Sequence, residues 1–370
     1  MLILASLKYI GSGDIDFIVE VAEGKEPIVL QITDTQIIDA SQLRSNERIS
    51  DTEKTYWAKN KTTERCYNCI REVIEKTKPD LIIHTGDMVY GEFDDEGTSL
   101  ISFINFMEGF NIPWGPVFGN HDNESIKGVN WQCEKLSNAE NCLFRQNNLT
   151  GNSNYIVGVR QGIKITRIFI MLDTCGCGNV SLQSLLNGHT TTKTGFGSDQ
   201  IEWYKEKVKR IKEIYPGVKI SFAFHIQPYS FSEAFSKYGF NNKSNEFTPI
   251  NIDLVENKAQ GDFGYIGSVL KSPWDMDKTV WQSIKELEAD SVFVGHEHQN
   301  SASVIYEGIR CQYGQKSGTY DRANYLQEDG SIIGSYLKAG KPLVGGTAIY
   351  LSLNGEIKNA EIILSETDLT

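Results

Sequence analysis

The sequence predicts an α/β fold, and three observations lead there. Short apolar runs rich in β-branched residues alternate along the chain with segments whose apolar residues recur at helical spacing, the order of strands and helices in a sheet-based domain. Most of these runs end in a cluster of polar, chemistry-bearing residues. Near the end of the chain, Ile349 to Leu353 and Ile357 to Leu364 flank Asn354-Gly355, a strong short hairpin signal.

Taken in order, Ile15 to Val21 alternates as a strand, and Pro27 punctuates before Ile28 to Ile32, a buried strand that ends at Asp34. Thr62 to Lys78 has helical spacing and is stopped by Pro79. Its Cys66 and Cys69 form a CxxC, but they share one face with Ile70, Val73 and Ile74 and have no second pair at zinc spacing, so they read as core. Leu81-Ile82-Ile83 is a strand that delivers Gly86-Asp87. A helix pattern over Leu100, Ile101, Ile104 and Met107 leads to the run from Ile112 to Phe118, which ends in Gly119-Asn120-His121-Asp122. Residues 123–154 are polar and poorly periodic and read as an excursion over the surface.

Arg167 to Leu172 is a further strand, ended by Asp173, which reads as a turn residue. Ser198 caps a helix that runs to about Tyr215 and is closed by Pro216-Gly217; Val218 to Phe224 then presents His225. Residues 227–275 are rich in aromatics without a clean period, either a packed subdomain or a lip over the site. Thr279 to Ala289 is a helix, followed by the Ser291 to Val294 strand and Gly295-His296-Glu297-His298. With no repeat, low-complexity segment or linker, the expectation is one domain over residues 1–370 with surface insertions near 123–154 and 227–275.

The chain has 370 residues, 40% apolar and 23% charged, as in an ordinary soluble protein. A net charge of −12 with no Lys/Arg cluster argues against a nucleic-acid surface. No run approaches the ~20 apolar residues of a membrane span. Met1 to Ile10 lacks a basic start and a small-residue cleavage site, so no signal peptide is read. Seven cysteines, odd in number and not densely spaced, point to a reducing, cytoplasmic setting. The alternative is export after removal of a leader, in which case Cys133 and Cys142 could pair. No feature fixes the oligomeric state.

In α/β sheets ligands gather at the carboxyl ends of strands. Five clusters would sit at such ends: Asp34-Thr35-Gln36, Gly86-Asp87-Met88-Val89-Tyr90, Gly119-Asn120-His121-Asp122, His225 and Gly295-His296-Glu297-His298. Taken singly, Asp34, Asp87 or Asn120 is more often a cap or turn residue than a ligand. As an ordered set that includes four of the six histidines, they suit a site for two metal ions. Asp87 is the carboxylate that can bridge the ions, imidazole nitrogens come from His225, His296 and His298, and Asn120 offers an amide oxygen. An acidic protein that acts on phosphate must offset its own charge locally, which bound cations would do. His84 reads as a satisfied structural residue, His189 as solvated, and the acidic run Glu92 to Glu96 as a solvated loop.

With these residues in place, the chain resembles the calcineurin-like metallophosphoesterase superfamily, whose motifs run D-x-H, GD-x-x-[D/Y], GNH[D/E], a lone His and GH-x-H. Four of the five are matched in order between Asp34 and His298. The resemblance implies a two-sheet β-sandwich flanked by helices. It also implies one ion held by Asp34, Asp87 and His298, a second held by Asp87, Asn120, His225 and His296, and His121 as the acid that serves the leaving group, oriented by Asp122. The cofactors would be two divalent or trivalent ions of iron, zinc or manganese, and the substrate a small phosphorylated molecule. The implied reaction is hydrolysis of a phosphate monoester by a metal-bridging hydroxide. A phosphodiesterase acting on nucleotides or lipid head groups and a non-catalytic metal-bound binding protein are the alternatives. The departure is Gln36, which stands where the family has His; it is expected to be a ligand or a group bonded to one. Tyr90 lies where the purple acid phosphatases of this superfamily carry a tyrosinate ligand, and is read as a packing or hydrogen-bonding residue.

Overall fold

The computed structural model describes residues 8–42, 62–175, 195–237, 248–249, 265–266, 277–298, 301, 303–318, 325–326, 332–333, 337–338, 341–342 and 344–366. Cys177, His189 and, apart from two residue pairs, 238–275 lie outside them. The strands that build the two main sheets are β1 (Phe17–Val21), β2 (Ile28–Ile32), β3 (Leu81–His84), β4 (Trp114–Pro116), β5 (Tyr155–Gln161), β6 (Lys164–Met171), β7 (Lys219–Ala223), β8 (Ser291–Val294), β9 (Ser303–Tyr306), β10 (Ile309–Tyr313), β11 (Gly345–Leu351) and β12 (Ile357–Leu364). The helices are α1 (Thr62–Thr77), α2 (Thr98–Glu108), α3 (Val129–Ser137), α4 (Ser198–Ile214), α5 (Tyr229–Lys237) and α6 (Asp277–Glu286).

One sheet has five strands in the order β12-β11-β2-β3-β4, the other seven in the order β1-β5-β6-β7-β8-β10-β9. Strands β2, β3 and β4 are mutually parallel, as are β6, β7, β8 and β10, while β11 and β12 close the first sheet as an antiparallel hairpin. Parallel neighbours bring their carboxyl ends, and the loops that follow them, to one edge.

Period-two alternation sorts the apolar side chains between two cores. In the seven-stranded sheet, Phe169, Met171 and Phe293 join the core that also holds Leu30, Ile32 and Ile82 of the five-stranded sheet. Their neighbours Ile168, Ile170, Val292 and Val294 turn to the opposite face, where Ile201, Tyr204, Val208 and Ile211 of α4 and Val280 and Ile284 of α6 cover them. Buried Cys66, Ile70 and Val73 of α1 and Leu100, Phe103 and Met107 of α2 pack with the first core. This is a two-sheet sandwich flanked by helices, stable because strands apolar on both faces find cover on both.

Three expectations are corrected. Residues 123–154 include α3, which inserts Val129, Cys133 and Leu136 into the core. Cap Gly197 precedes α4 in place of Ser198; it has no side-chain cap, and its N–H donates to Gln200 Oε1 at 2.8 Å. Cys133 and Cys142 are buried free thiols and do not pair. No helix among the described residues is long and apolar enough to cross a membrane.

Candidate metal centre

Each cluster lies on the loop after a strand: Asp34 and Gln36 after β2, Asp87 after β3, Asn120 to Asp122 after β4, His225 after β7, and His296 to His298 after β8. All the candidate oxygen donors, Asp34, Asp87 and Asn120, follow strands of the five-stranded sheet, and all the nitrogen donors, His225, His296 and His298, follow strands of the seven-stranded one. The loops are tightly turned. Asp34, Gln36, Asp87 and His296 have φ of 51°, 44°, 57° and 70°, a left-handed conformation that side-chain-bearing residues hold only when surrounding contacts impose it. Gly119 is required by proximity, since a Cβ there would lie 2.2 Å from Asp87 Oδ1.

The side chains converge. His225 Nε2 lies 3.1 Å from Asn120 Oδ1 and 3.3 Å from Asp87 Oδ2, and His296 Nδ1 lies 2.8 Å from the same Asn120 oxygen. His298 Nε2 faces Asp34 Oδ1 at 3.2 Å. Ligating atoms of Asp34, Asp87 and His298 all fall within 4.8 Å of one another.

The donor chemistry fits a cation. The Thr85 carbonyl can only accept, so at 2.8 Å from it His225 Nδ1 carries a hydrogen. Nε2 is thereby aimed at two further acceptors, the Asp87 and Asn120 oxygens, an arrangement that requires positive charge at that point, either a proton on Nε2 or a metal ion among the three atoms. Burial alone would lower the His225 pKa, yet the adjacent Asp87 carboxylate pushes it up to about 9. Burial opposes ionisation of Asp87, yet the charges and hydrogen bonds of His225 and His121 together hold it well below the usual carboxylate range. Burial drives His296 down to about 3, so that ring is a neutral lone-pair donor. Buried Asp34 Oδ1 is met by His298 Nε2 at 3.2 Å, a contact that pairs two ligand-type atoms. The residues present therefore suit bound metal ions.

One role differs from expectation, that of Asp122, and Gln36 takes the second of its two expected roles, a group bonded to a ligand. Asp122 does not touch the His121 ring in any described contact; its carboxylate accepts the backbone N–H groups of Gly119, Asp87 and Val89 at 2.7, 2.9 and 3.1 Å and so ties two site loops together. Burial and the Asp87 charge push its pKa up against those three donors. The group that holds His121 is Glu124, on a 3₁₀ turn three residues on, with Oε2 2.9 Å from His121 Nδ1 and its side chain fully buried. Gln36 turns its amide nitrogen to the site, Nε2 donating to Asp87 Oδ2 at 3.3 Å, which is not the pose of an oxygen ligand.

A further reading is corrected: the acidic run is not a solvated loop, since Glu92 and Asp94 are buried and the Asp94 carboxylate accepts the Ser99 and Leu100 N–H groups at the start of α2. The readings of His84, Tyr90 and Asp173 match the geometry. His84 is buried and held neutral by burial, with Nδ1 accepting the Gly86 N–H and Nε2 3.1 Å from Thr35 Oγ1. Tyr90 lays its ring against that of His121, centroids 4.3 Å apart. Asp173 accepts the Asn152 and Cys175 N–H groups, a turn role. Two residues went unread in the sequence: Glu124, whose spacing from His121 was the available signal, and Lys316, for which there was none.

The chain belongs to the calcineurin-like phosphoesterase family, whose model matches residues 28–300. It is 25% identical over 273 residues to "Probable inactive purple acid phosphatase 29" of Arabidopsis thaliana, covering 68% of this chain and 64% of that protein. It is 27% identical over 164 residues to "Phosphatase DCR2" of Saccharomyces cerevisiae, covering 41% of this chain and 26% of that protein. It thus spans less than two thirds of either relative. A crystal structure of a dimetal phosphatase from Danio rerio aligns with 88% of this chain and 92% of that one at 9% identity, with a TM-score of 0.46.

Proposed function

We propose that this chain is a metal-dependent phosphoric ester hydrolase acting on a phosphate monoester, with two ions held by Asp34, Asp87 and His298 on one side and by Asp87, Asn120, His225 and His296 on the other. The observation that carries the reading is the convergence of ligand-type atoms from both sheets: His225 Nε2 lies 3.1 Å from Asn120 Oδ1 and 3.3 Å from Asp87 Oδ2, and ligating atoms of Asp34, Asp87 and His298 fall within 4.8 Å of one another, a set in which a metal ion would take the place of the His225 Nε2 proton. When bound, the ions supply activation of the attacking water and neutralise charge on the phosphoryl oxygens.

The chain's own groups do the rest. Glu124 fixes the His121 ring through Nδ1–H, so the proton the reaction moves is held at Nε2. As the phosphorus–ester oxygen bond breaks, that proton passes to the departing oxygen, and the leaving group departs as an alcohol. The yeast relative's name supports phosphatase chemistry. The plant relative is named as inactive, and against a like reading here stands the buried Glu124–His121 pair, for which a binding module has no use.

The test is metal content of the purified protein, with turnover of a chromogenic phosphate monoester and its diester after metal reconstitution. Bound metal, a monoester preference, and a His121→Ala variant that keeps its metal but loses most turnover are expected. A diester preference replaces the monoester reading with the alternative, and no turnover of either substrate by a metal-loaded chain overturns catalysis altogether.

A further inference from the structure

Lys316 lies after β10 and is 2% exposed, an unusual place for an ammonium group. Backbone pairing holds it there. Ser317 N–H donates to the Thr33 carbonyl at 2.9 Å and Ser317 Oγ accepts Thr33 N–H at 3.2 Å, while a Cβ on Gly318 would strike the Asp34 and Thr35 carbonyl oxygens at 2.3 and 2.4 Å. The segment is thus pressed onto the loop that carries Asp34 and Gln36. From it Lys316 Nζ reaches the Asp34 carbonyl oxygen at 3.3 Å and Gln36 Oε1 at 3.4 Å.

This contact fixes the orientation of the Gln36 amide by chemistry. An ammonium can only donate and a carboxylate only accept, so an amide between Lys316 and Asp87 must turn Oε1 to the lysine and Nε2 to Asp87 Oδ2. The backbone gives it no latitude, since Gln36 N–H donates to the Asp87 carbonyl at 2.9 Å.

We propose that Lys316 is a positioning residue that withholds Gln36 from metal ligation and so leaves the Asp34–Asp87–His298 position one ligand short of the other, which makes the ion there the weaker, exchangeable one of the two. The proposal rests on the reading that these residues bind metal. The other position, with Asn120, His225 and His296 beside Asp87, fills first. Residue 36 acts on the bridging carboxylate as a hydrogen-bond donor and adds no ligand of its own to the Asp34–Asp87–His298 position. The chain would then respond to the free metal concentration around it.

The test is equilibrium dialysis of the full chain against manganese or zinc ions, giving stoichiometry and a Kd for each position. Two Kd values separated by more than about tenfold are expected, as is a Gln36→Leu variant in which both Kd values rise by a similar factor of about ten- to a hundredfold, because the lost donor serves Asp87, the carboxylate common to both positions. Lys316→Met, checked for folding by circular dichroism, should free the Gln36 amide to turn its oxygen to the site, tighten the weaker position by at least about tenfold and leave the tighter one unchanged. A Gln36→Leu variant in which the weaker Kd alone rises, two equal Kd values in the parent, or a folded Lys316→Met with both Kd values unchanged overturns the proposal. If Lys316→Met does not fold, Gln36→Leu decides. A parent chain that binds no ion is a separate outcome, which removes the metal reading itself and this proposal with it.

Discussion

Replacing Glu124 by Ala is expected to slow turnover without costing the chain its metal. The Glu124 carboxylate is fully buried and lies 2.9 Å from His121 Nδ1, whose ring is only 15% exposed, so solvent does little to weaken the contact. A hydrogen bond to a charged group of this kind contributes about 1.5–3 kcal/mol. If that energy is expressed in the transition state, where the ring must be aimed at the leaving oxygen, kcat falls by about ten- to a hundredfold. Steady-state kinetics on a chromogenic monoester, with elemental analysis of the same samples, provides the measurement. Glu124→Gln, which keeps an oxygen able to accept the Nδ1 hydrogen, should recover part of the loss. His121→Ala should cost about 10²–10⁴, and adding Glu124→Ala to it should cost nothing more, since the two act as one unit. Turnover unchanged in Glu124→Ala, or a double variant that falls by the product of the single losses, would refute the assignment of Glu124 as the residue that aims His121.

Four further outcomes are expected. Gly119→Ala places a methyl 2.2 Å from Asp87 Oδ1 and 2.5 Å from its backbone nitrogen, so it should destabilise the fold by about 1–3 kcal/mol in urea titration and weaken metal binding. Asp122→Asn loses an acceptor for the N–H groups of Asp87, Val89 or Gly119 and should cost about 1–3 kcal/mol, visible as a lower Tm with His121 still in place. Removing bound metal with a chelator should lower Tm by several degrees, because an ion present at a hundred times its Kd stabilises by about 2.7 kcal/mol. On α1, burial opposes ionisation of Glu72, but Lys76, Ser365 and the Glu366 N–H hold its pKa down to about 2. A depressed carboxylate stabilises fully above its ordinary value of 4.5 and loses that contribution as pH falls towards 2. Solvent screening reduces it to about 1 kcal/mol, so Glu72→Gln should narrow the stability difference between pH 6 and pH 2.5 by that amount.

The strands that deliver the site were readable because each is a run of buried apolar residues broken by a ligand-type residue. Ile28–Ile32 and Ser291–Val294 fall where the hydrophobic pattern places them, and α1 ends one residue before the position read from Pro79. Strand β4 is shorter than its apolar run, since Val117 and Phe118 are buried by packing after ladder pairing has ended at Pro116. Helix α3 escaped because its three core contacts, Val129, Cys133 and Leu136, are spread among polar residues. The motif order put Asp34, Asp87, Asn120, His121, His225, His296 and His298 at one edge, and the loops do meet there. Glu124 needed a three-residue turn to bring it under His121, which its i,i+3 spacing hinted at but no hydrophobic pattern marks. Lys316 owes its burial to pairing with residues about 280 positions away, a contact that hydrophobic periodicity does not encode. For the same reason the sense of the Gln36 amide was beyond reach, because its two neighbours come from distant parts of the chain.

The division of donors between the sheets, oxygens on one and nitrogens on the other, has a consequence for how the molecule matures. On the proposed ligand set neither half of the sandwich carries a complete coordination set, so an ion captured early by an unfinished chain would find only carboxylates and an amide, or only imidazoles, and would be held loosely. Tight capture would begin when the two layers have closed with their loop edges in register, and from then on the ion would act as a rivet across the seam, resisting sliding of one layer past the other much as a cross-link would. Metal uptake would therefore report the end of assembly, and a chain that misaligns its layers would be recognisable by its failure to retain metal even while its helices and strands are intact.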